Sequence, residues 1–304
     1  MTRLKLAVVA VLMSALWSVG ATAKFNIFAC EPEWGALAKE ITGNKAKIYV
    51  ATGPNQDAHY IRAKPSLIAK IRIADLVFCT GASLEVGWLP LLLQRGASAE
   101  VQPGQPGYLM AADFVNTLEK PLVLDRSLGD IHPEGNPHIH LDPRNIVKLA
   151  KILKERLSIL DSKNASFYKM RSRSFTKNWE LLLTQWSKRL PRLKGRGIAV
   201  HHRNWSYLLA WSGLIEMAML EEKPGIAPSA MHLKRVNNKV SIKNTMAILR
   251  TTFDDSAPSK WLMEKSGVPA IVLPFSVPRT PKEGNLAALF NSILTKLENI
   301  AVRH

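Results

Sequence analysis

Acid and cysteine are what this chain has least of. Its 304 residues carry 24 Asp and Glu against 41 Lys and Arg, a formal charge of +17, and only two cysteines. Cys30 and Cys79 stand far apart with no paired CxxC spacing, which excludes a cysteine-built zinc cluster. The chain has no GxSxG elbow, no P-loop, no GxGxxG and no HExxH, which removes serine-hydrolase, phosphate-loop, dinucleotide-binding and zincin readings. Beyond the first residues no apolar run approaches the roughly 20 residues of a spanning helix. Low-complexity segments are absent too. The cations are scattered, with a modest cluster from Lys188 to Arg196, so the positive balance reads as a solvated basic surface and not as a nucleic-acid partner.

The N-terminus explains where such a chain works. Arg3 and Lys5 precede an apolar stretch, Leu6 to Gly20, and Ala21-Thr22-Ala23 is a small-x-small cleavage signal. This pattern predicts a secretory signal peptide over 1–23 and a mature chain from Lys24, soluble in the periplasm. Ile27-Phe28-Ala29-Cys30 imitates a lipobox, but Lys24 cuts it off from the apolar core and Phe28 fits poorly, so a lipoprotein is the weaker reading. Both cysteines end apolar runs, Phe25 to Cys30 and Ala74 to Cys79. If those runs are neighbouring parallel strands, the thiols share one sheet edge and an oxidising compartment permits a disulfide.

The first half alternates apolar strand-like runs (25–30, 46–51, 75–80) with helical stretches (34–41, 64–73, 88–95), the pattern of βαβ units and a parallel sheet. Asp142-Pro143 opens a helix, and a second long helix is predicted over about 164–188. The alternation then restarts, with strands at 197–201, 214–220, 245–251 and 270–273 and a closing helix at 286–297. The fold class expected is α/β: two lobes with parallel sheets flanked by helices, an N-terminal lobe 24–163, a linker helix 164–190 and a C-terminal lobe 191–304.

What is present in quantity where it matters is histidine. Of eight, five fall in three patches that follow strand-like runs or lie in polar loops: Asp57-Ala58-His59, Asn136-Pro137-His138-Ile139-His140 and His201-His202. In open α/β sheets ligands bind where the loops gather at the carboxyl ends of the strands, and imidazoles converging there make a metal site. His138 and His140, two apart, face the same way in extended chain, whereas His201 and His202 point to opposite faces. His132 lies in the same dense loop as His138, with Asp130 and Glu134 as candidate general bases for an exported zinc hydrolase. His232 and His304 read as structural.

These patches resemble the cluster A-I solute-binding proteins of ABC transporters, which carry zinc or manganese to a permease. The family pattern D-P-H-x-Y-x-x-x-P-S corresponds to Asp57-Ala58-His59-Tyr60-Ile61-Arg62-Ala63-Lys64-Pro65-Ser66, with Ala for Pro and the tyrosine one place early. G-N-P-H-x-W-L-D-P corresponds to Gly135 through Pro143, with His140 in place of the aromatic, and Y-H-x-x-W-x-Y to His201 through Tyr207. The resemblance implies metal held in the cleft between the lobes by His59, His138 and His202, delivery to an inner-membrane ABC permease, no catalysis, and action as a monomer. It also implies a carboxylate ligand after a late strand, where this chain has Ser276. Asp254 or Asp255 could substitute, with His140 and His132 as further candidates, or the site has three histidines and an open position. Zinc is the expected ion, because imidazoles suit it better than they suit manganese; copper or nickel would also bind such a set. An adhesin-like binding protein on the same fold is the remaining alternative.

Overall fold

The computed structural model describes residues 24–122, 129–280 and 284–302. The predicted signal peptide and His304 lie outside these residues. Eight strands form two four-stranded sheets, and every pairing is parallel. The first sheet comprises β1 (Phe25–Ala29), β2 (Ala46–Val50), β3 (Leu76–Cys79) and β4 (Tyr108–Met110), in the order β2-β1-β3-β4. The second comprises β5 (Gly197–Val200), β6 (Ile215–Met219), β7 (Ala247–Arg250) and β8 (Ala270–Val272), in the order β6-β5-β7-β8. The two halves therefore repeat one strand order. In each, the chain reverses direction of winding beside the first strand, which is where α/β sheets open a crevice. The sequence reading missed β4, a three-residue strand with no alternation to mark it.

Helices α1 (Pro32–Thr42), α2 (Pro65–Ile71) and α3 (Leu89–Gly96) cover the first sheet. All three have Pro in the first turn, where its missing N–H costs nothing. Helix α4 (Pro143–Leu160) is capped by Asp142, whose carboxylate accepts from the Arg144 backbone N–H. Helix α5 (Ala165–Ser187) runs 23 residues and lies within the expected connecting segment. The second half adds α6 (Ser206–Ser212), α7 (Ala230–Lys239), α8 (Ser256–Ser266) and α9 (Leu286–Ala301). Among the described residues no helix is long and apolar enough to cross a membrane.

One hydrophobic cluster runs through both halves. It contains Ile27 and Phe78 of the first sheet, Ile198 and Val200 of the second, and Trp179, Trp186 and Phe290 between them. Helix α5 supplies the centre. The Trp179 ring lies 5.3 Å from Phe175, 5.3 Å from Trp186 and 5.9 Å from Phe290 of α9. The outer faces of the sheets have cores of their own. Phe28, Cys30, Val77 and Cys79 alternate with Ile27, Ala29, Leu76 and Phe78 and pack outward under α2 and α3. Cys30 and Cys79 are joined in a disulfide between adjacent strand ends.

Candidate metal centre

Four imidazoles meet where the loops of the two sheets face each other. The His59 ring centroid lies 5.1 Å from that of His132, 5.7 Å from His138 and 6.2 Å from His202, and His138 stands 6.1 Å from His202. The three histidines singled out by pattern are thus together, and His132 stands against His59. Its position in a proline-glycine loop carries no periodicity, so only its nearness to His138 in sequence could have pointed to it.

Each ring is held from behind. His59 sits in a single helical turn, Ala58–Tyr60, because Asp57 accepts from its backbone N–H at 3.0 Å and from its Nδ1 at 2.6 Å. The Trp88 indole N–H fixes the same turn by donating to the Ala58 carbonyl at 2.8 Å. Burial works against the Asp57 charge, but the His59 hydrogen bonds and ring charge outweigh it and hold that carboxyl below its ordinary value. His132 donates from Nδ1 to the Ala82 carbonyl at 2.8 Å, which leaves its Nε2 lone pair facing the cluster. His59 Nε2 and His132 Nε2 face each other across 3.1 Å. A cation bound between them would take the place of any proton they share.

His138 is fixed by the turn before it. Asn136 Oδ1 accepts its backbone N–H at 3.0 Å, and Asn136 Nδ2 donates to the Arg203 carbonyl at 2.8 Å, beside His202. The Tyr207 hydroxyl donates to the Asn136 carbonyl at 2.7 Å and accepts from Leu118 N–H at 2.9 Å. Gly135 has φ of 102°, and a Cβ there would stand 2.6 Å from the Leu118 carbonyl, so only glycine lets this chain pass. Burial and the facing rings of His59 and His202 push His138 well below the ordinary histidine value, and burial with His59 pushes His132 down to about 4. Both stay neutral and ready to ligate at physiological pH.

His202 follows β5 in extended backbone and its Nδ1 donates to Glu221 at 2.7 Å. Burial opposes its charge, yet the Glu221 hydrogen bond and charge, with Asp254 and Asp57, raise its pKa. Glu221 was not read from the sequence, although it lies two residues after the end of β6. It also accepts from Gly225 N–H at 2.8 Å, so it ties the His202 ring to the 221–225 loop. Such carboxylates fix the tautomer and sharpen the basicity of a metal-binding imidazole. Glu221→Gln is expected to weaken zinc binding about 10–100-fold without loss of the one-to-one ratio, as isothermal titration calorimetry would report.

The other candidates are turned elsewhere. His140 is buried with Nε2 donating to the Phe275 carbonyl at 2.9 Å and Nδ1 3.5 Å from Glu33. Ser276 donates to Glu33 at 2.6 Å. Asp255 caps α8 by accepting from Ala257 N–H, and Asp254 accepts from Thr251 N–H at 2.7 Å. Asp254 nonetheless lines the same cleft of about 570 Å³ as His59, His202 and Glu221. Asp130 accepts from the Tyr60 hydroxyl at 2.5 Å, and exposed Glu134 accepts from Ser83 Oγ at 2.9 Å.

A family described as periplasmic zinc-uptake complex component A, ZnuA, matches residues 27–300. The chain belongs to that family. Among curated relatives, the metal ABC transporter substrate-binding lipoprotein SloC of Streptococcus mutans is 22% identical over 251 residues, covering 81% of this chain and 79% of that protein. The manganese ABC transporter substrate-binding lipoprotein PsaA of Streptococcus pneumoniae is 23% identical over 273 residues, 87% of this chain and 84% of that one. The zinc-binding lipoprotein AdcA of Streptococcus pneumoniae is 23% identical over 83% of this chain, which spans 50% of AdcA. A crystal structure of ZnuA superposes with a TM-score of 0.71 at 20% identity, covering 92% of this chain and 98% of the other. The cadmium-bound periplasmic metal-binding protein of Candidatus Liberibacter asiaticus gives 0.75 at 17% identity, over 91% and 100%. The fold is therefore the two-lobed fold of this family.

Proposed function

We propose that this protein captures a divalent metal ion, zinc first, in the periplasm and hands it to an ABC permease as a non-catalytic binding protein. The observation that supports the reading is the mutual approach of the His59, His138 and His202 rings, with His132 against His59, where the loops gather. His132 adds a fourth imidazole beside His59. A ligand set of imidazoles favours zinc over manganese, which prefers oxygen donors. The ion is cargo, so the site has to bind and release without turnover. A hydrolase reading finds less support, because Asp130, though it lines the same cleft, is engaged by the Tyr60 hydroxyl, and Glu134 is engaged by Ser83.

Export through a cleaved leader fits the same picture. The lipoprotein alternative would make Cys30 the first residue of the mature chain. That would delete β1, the strand between β2 and β3, and would consume a cysteine that is already paired with Cys79. Mass spectrometry of the exported protein should give a chain starting at Lys24 with no acyl group; a diacylated Cys30 would overturn this.

Metal titration of purified protein against zinc and manganese tests the function. One zinc per chain, bound more tightly than manganese and with no hydrolysis of ester or peptide substrates, is the expected result. Binding should also depend on pH with a definite sign. Because Glu221 keeps His202 protonated above the ordinary histidine value of 6.5, zinc has a proton to displace there, and affinity should begin to fall while pH is still above that value. In Glu221→Gln the onset should move to lower pH. An affinity that is flat from pH 8 to pH 5.5 would remove His202 from the site.

A further inference from the structure

A second group of metal-binding side chains lies behind the first, in the outer core of the N-terminal lobe. Cys30 directly follows β1 and Cys79 ends β3, at the point where the strand order reverses. The sulfurs of both and a carboxylate oxygen of Glu85 all lie within 4.8 Å of one another. All three residues are buried. Glu31, next to Cys30 and only 3% exposed, comes to the same place. It accepts from Thr80 N–H at 3.3 Å, the donor that also serves Glu85 at 2.8 Å. The Glu31 Oε1 atom is buried without any hydrogen-bond partner. Two carboxyls and a disulfide, packed at the ligand-binding edge of a sheet, are a costly arrangement for a hydrophobic core.

We propose that reduction of the Cys30–Cys79 disulfide uncovers a second metal site, in which the two thiolates and the carboxylates of Glu85 and Glu31 enclose a soft divalent cation such as cadmium or zinc. The S₂O₂ donor set suits a closed four-coordinate site, with the same formal charge as the four-cysteine sites that hold structural zinc. Backbone N–H groups of Thr80 and Gly81 already point at the Glu85 carboxylate, at 2.8 and 3.0 Å, and offset its charge. The chemistry balances with a dithiol as reductant. The dithiol gives two electrons and two protons to the disulfide and becomes a disulfide itself; the S–S bond breaks and two S–H bonds form. The cation then displaces both thiol protons and the proton that the carboxyl pair shares, all of which leave to solvent. That shared proton follows from proximity: burial and the neighbouring Glu85 and Glu33 hold Glu31 well above the carboxylate range, and burial lifts Glu85 to about 7.

A route for the ion exists. Glu31 lines a narrow cavity of about 20 Å³ together with His138, Asp57 and Glu33, space for about one water on the side of the deeper group that faces His138. In the oxidised protein the disulfide prevents transfer from the histidine quartet to this deeper thiolate set, which would otherwise compete for cargo.

The test uses the full mature chain carrying His138→Ala and His202→Ala, which silences the quartet. Cadmium is titrated before and after reduction with a dithiol that is then removed under anaerobic conditions. Oxidised protein should bind no cadmium tightly. Reduced protein should bind one equivalent, with the ultraviolet sulfur-to-cadmium charge-transfer band. Cys30→Ser should abolish that band, and Glu85→Gln should weaken binding at least tenfold. Absence of the band in the reduced chain would overturn the proposal, as would loss of far-ultraviolet ellipticity on reduction. Unchanged affinity in both Glu85→Gln and Glu31→Gln would also overturn it, because the site would then be a bare dithiol.

Discussion

His138→Ala should lower zinc affinity by at least about 100-fold, more than any other single substitution in the chain. Losing an outer partner of a metal ligand already costs 10–100-fold, and here the ligand itself is lost from the most deeply buried corner of the quartet. The remaining rings cannot close over the gap, because each is tied backward: His59 to Asp57, His132 to the Ala82 carbonyl and His202 to Glu221. His140→Ala, two residues away, is the control. It removes a ring that bonds the Phe275 carbonyl and faces Glu33, so it should lower stability and leave one zinc bound. Calorimetric titration of the two variants separates them; equal losses of affinity would mean that the ligand has been assigned to the wrong histidine.

The largest effect on stability is expected at Trp179. The indole is 2% exposed, packs against Phe175, Trp186 and Phe290, and donates from Nε1 to the Pro143 carbonyl at 2.8 Å. Trp179→Ala leaves a cavity, an unpaired carbonyl at the start of α4 and a broken contact between α5 and α9. Truncations of this size cost about 3–5 kcal/mol, which lowers the melting temperature by roughly 10 °C for a chain of this length. Thermal denaturation followed by circular dichroism measures it. A shift of only a degree or two would show that the two halves are stabilised independently and that the aromatic contacts between them are dispensable.

Much of this architecture was legible before any coordinates. The βαβ alternation, the Asp142-Pro143 helix start and the long α5 all follow from periodicity and capping chemistry, which act over a few residues. The His59, His138 and His202 patches were readable because they lie beside strand ends or in recurrent short patterns. The rest depended on tertiary placement. Nothing local distinguishes His132, which reaches His59 through the shape of a loop, or Glu221, whose importance comes from facing His202 across two strand ends. Ser276 marked the place of a missing carboxylate, but the sequence could not show that Phe275 would turn its ring on His138 and its carbonyl toward His140. The deep pair Glu31 and Glu85 is invisible in one dimension, since glutamates at helix starts and in loops are ordinarily solvated.

The cluster of apolar side chains that runs from one sheet through α5 and α9 to the other also has a kinetic meaning. Two bodies that share an interior cannot swing apart like a hinge without exposing it to water. Capture therefore draws no energy from the closing of a large clamp, since the rings of His59, His138 and His202 stand about 6 Å apart. Escape has to begin in the loops themselves, in segments such as 129–138 and 221–225, where local opening is far cheaper than separation of the sheets. The dwell time of the ion is then set by how often a few loop hydrogen bonds, Asp130 to Tyr60 and Glu221 to Gly225 among them, let go together.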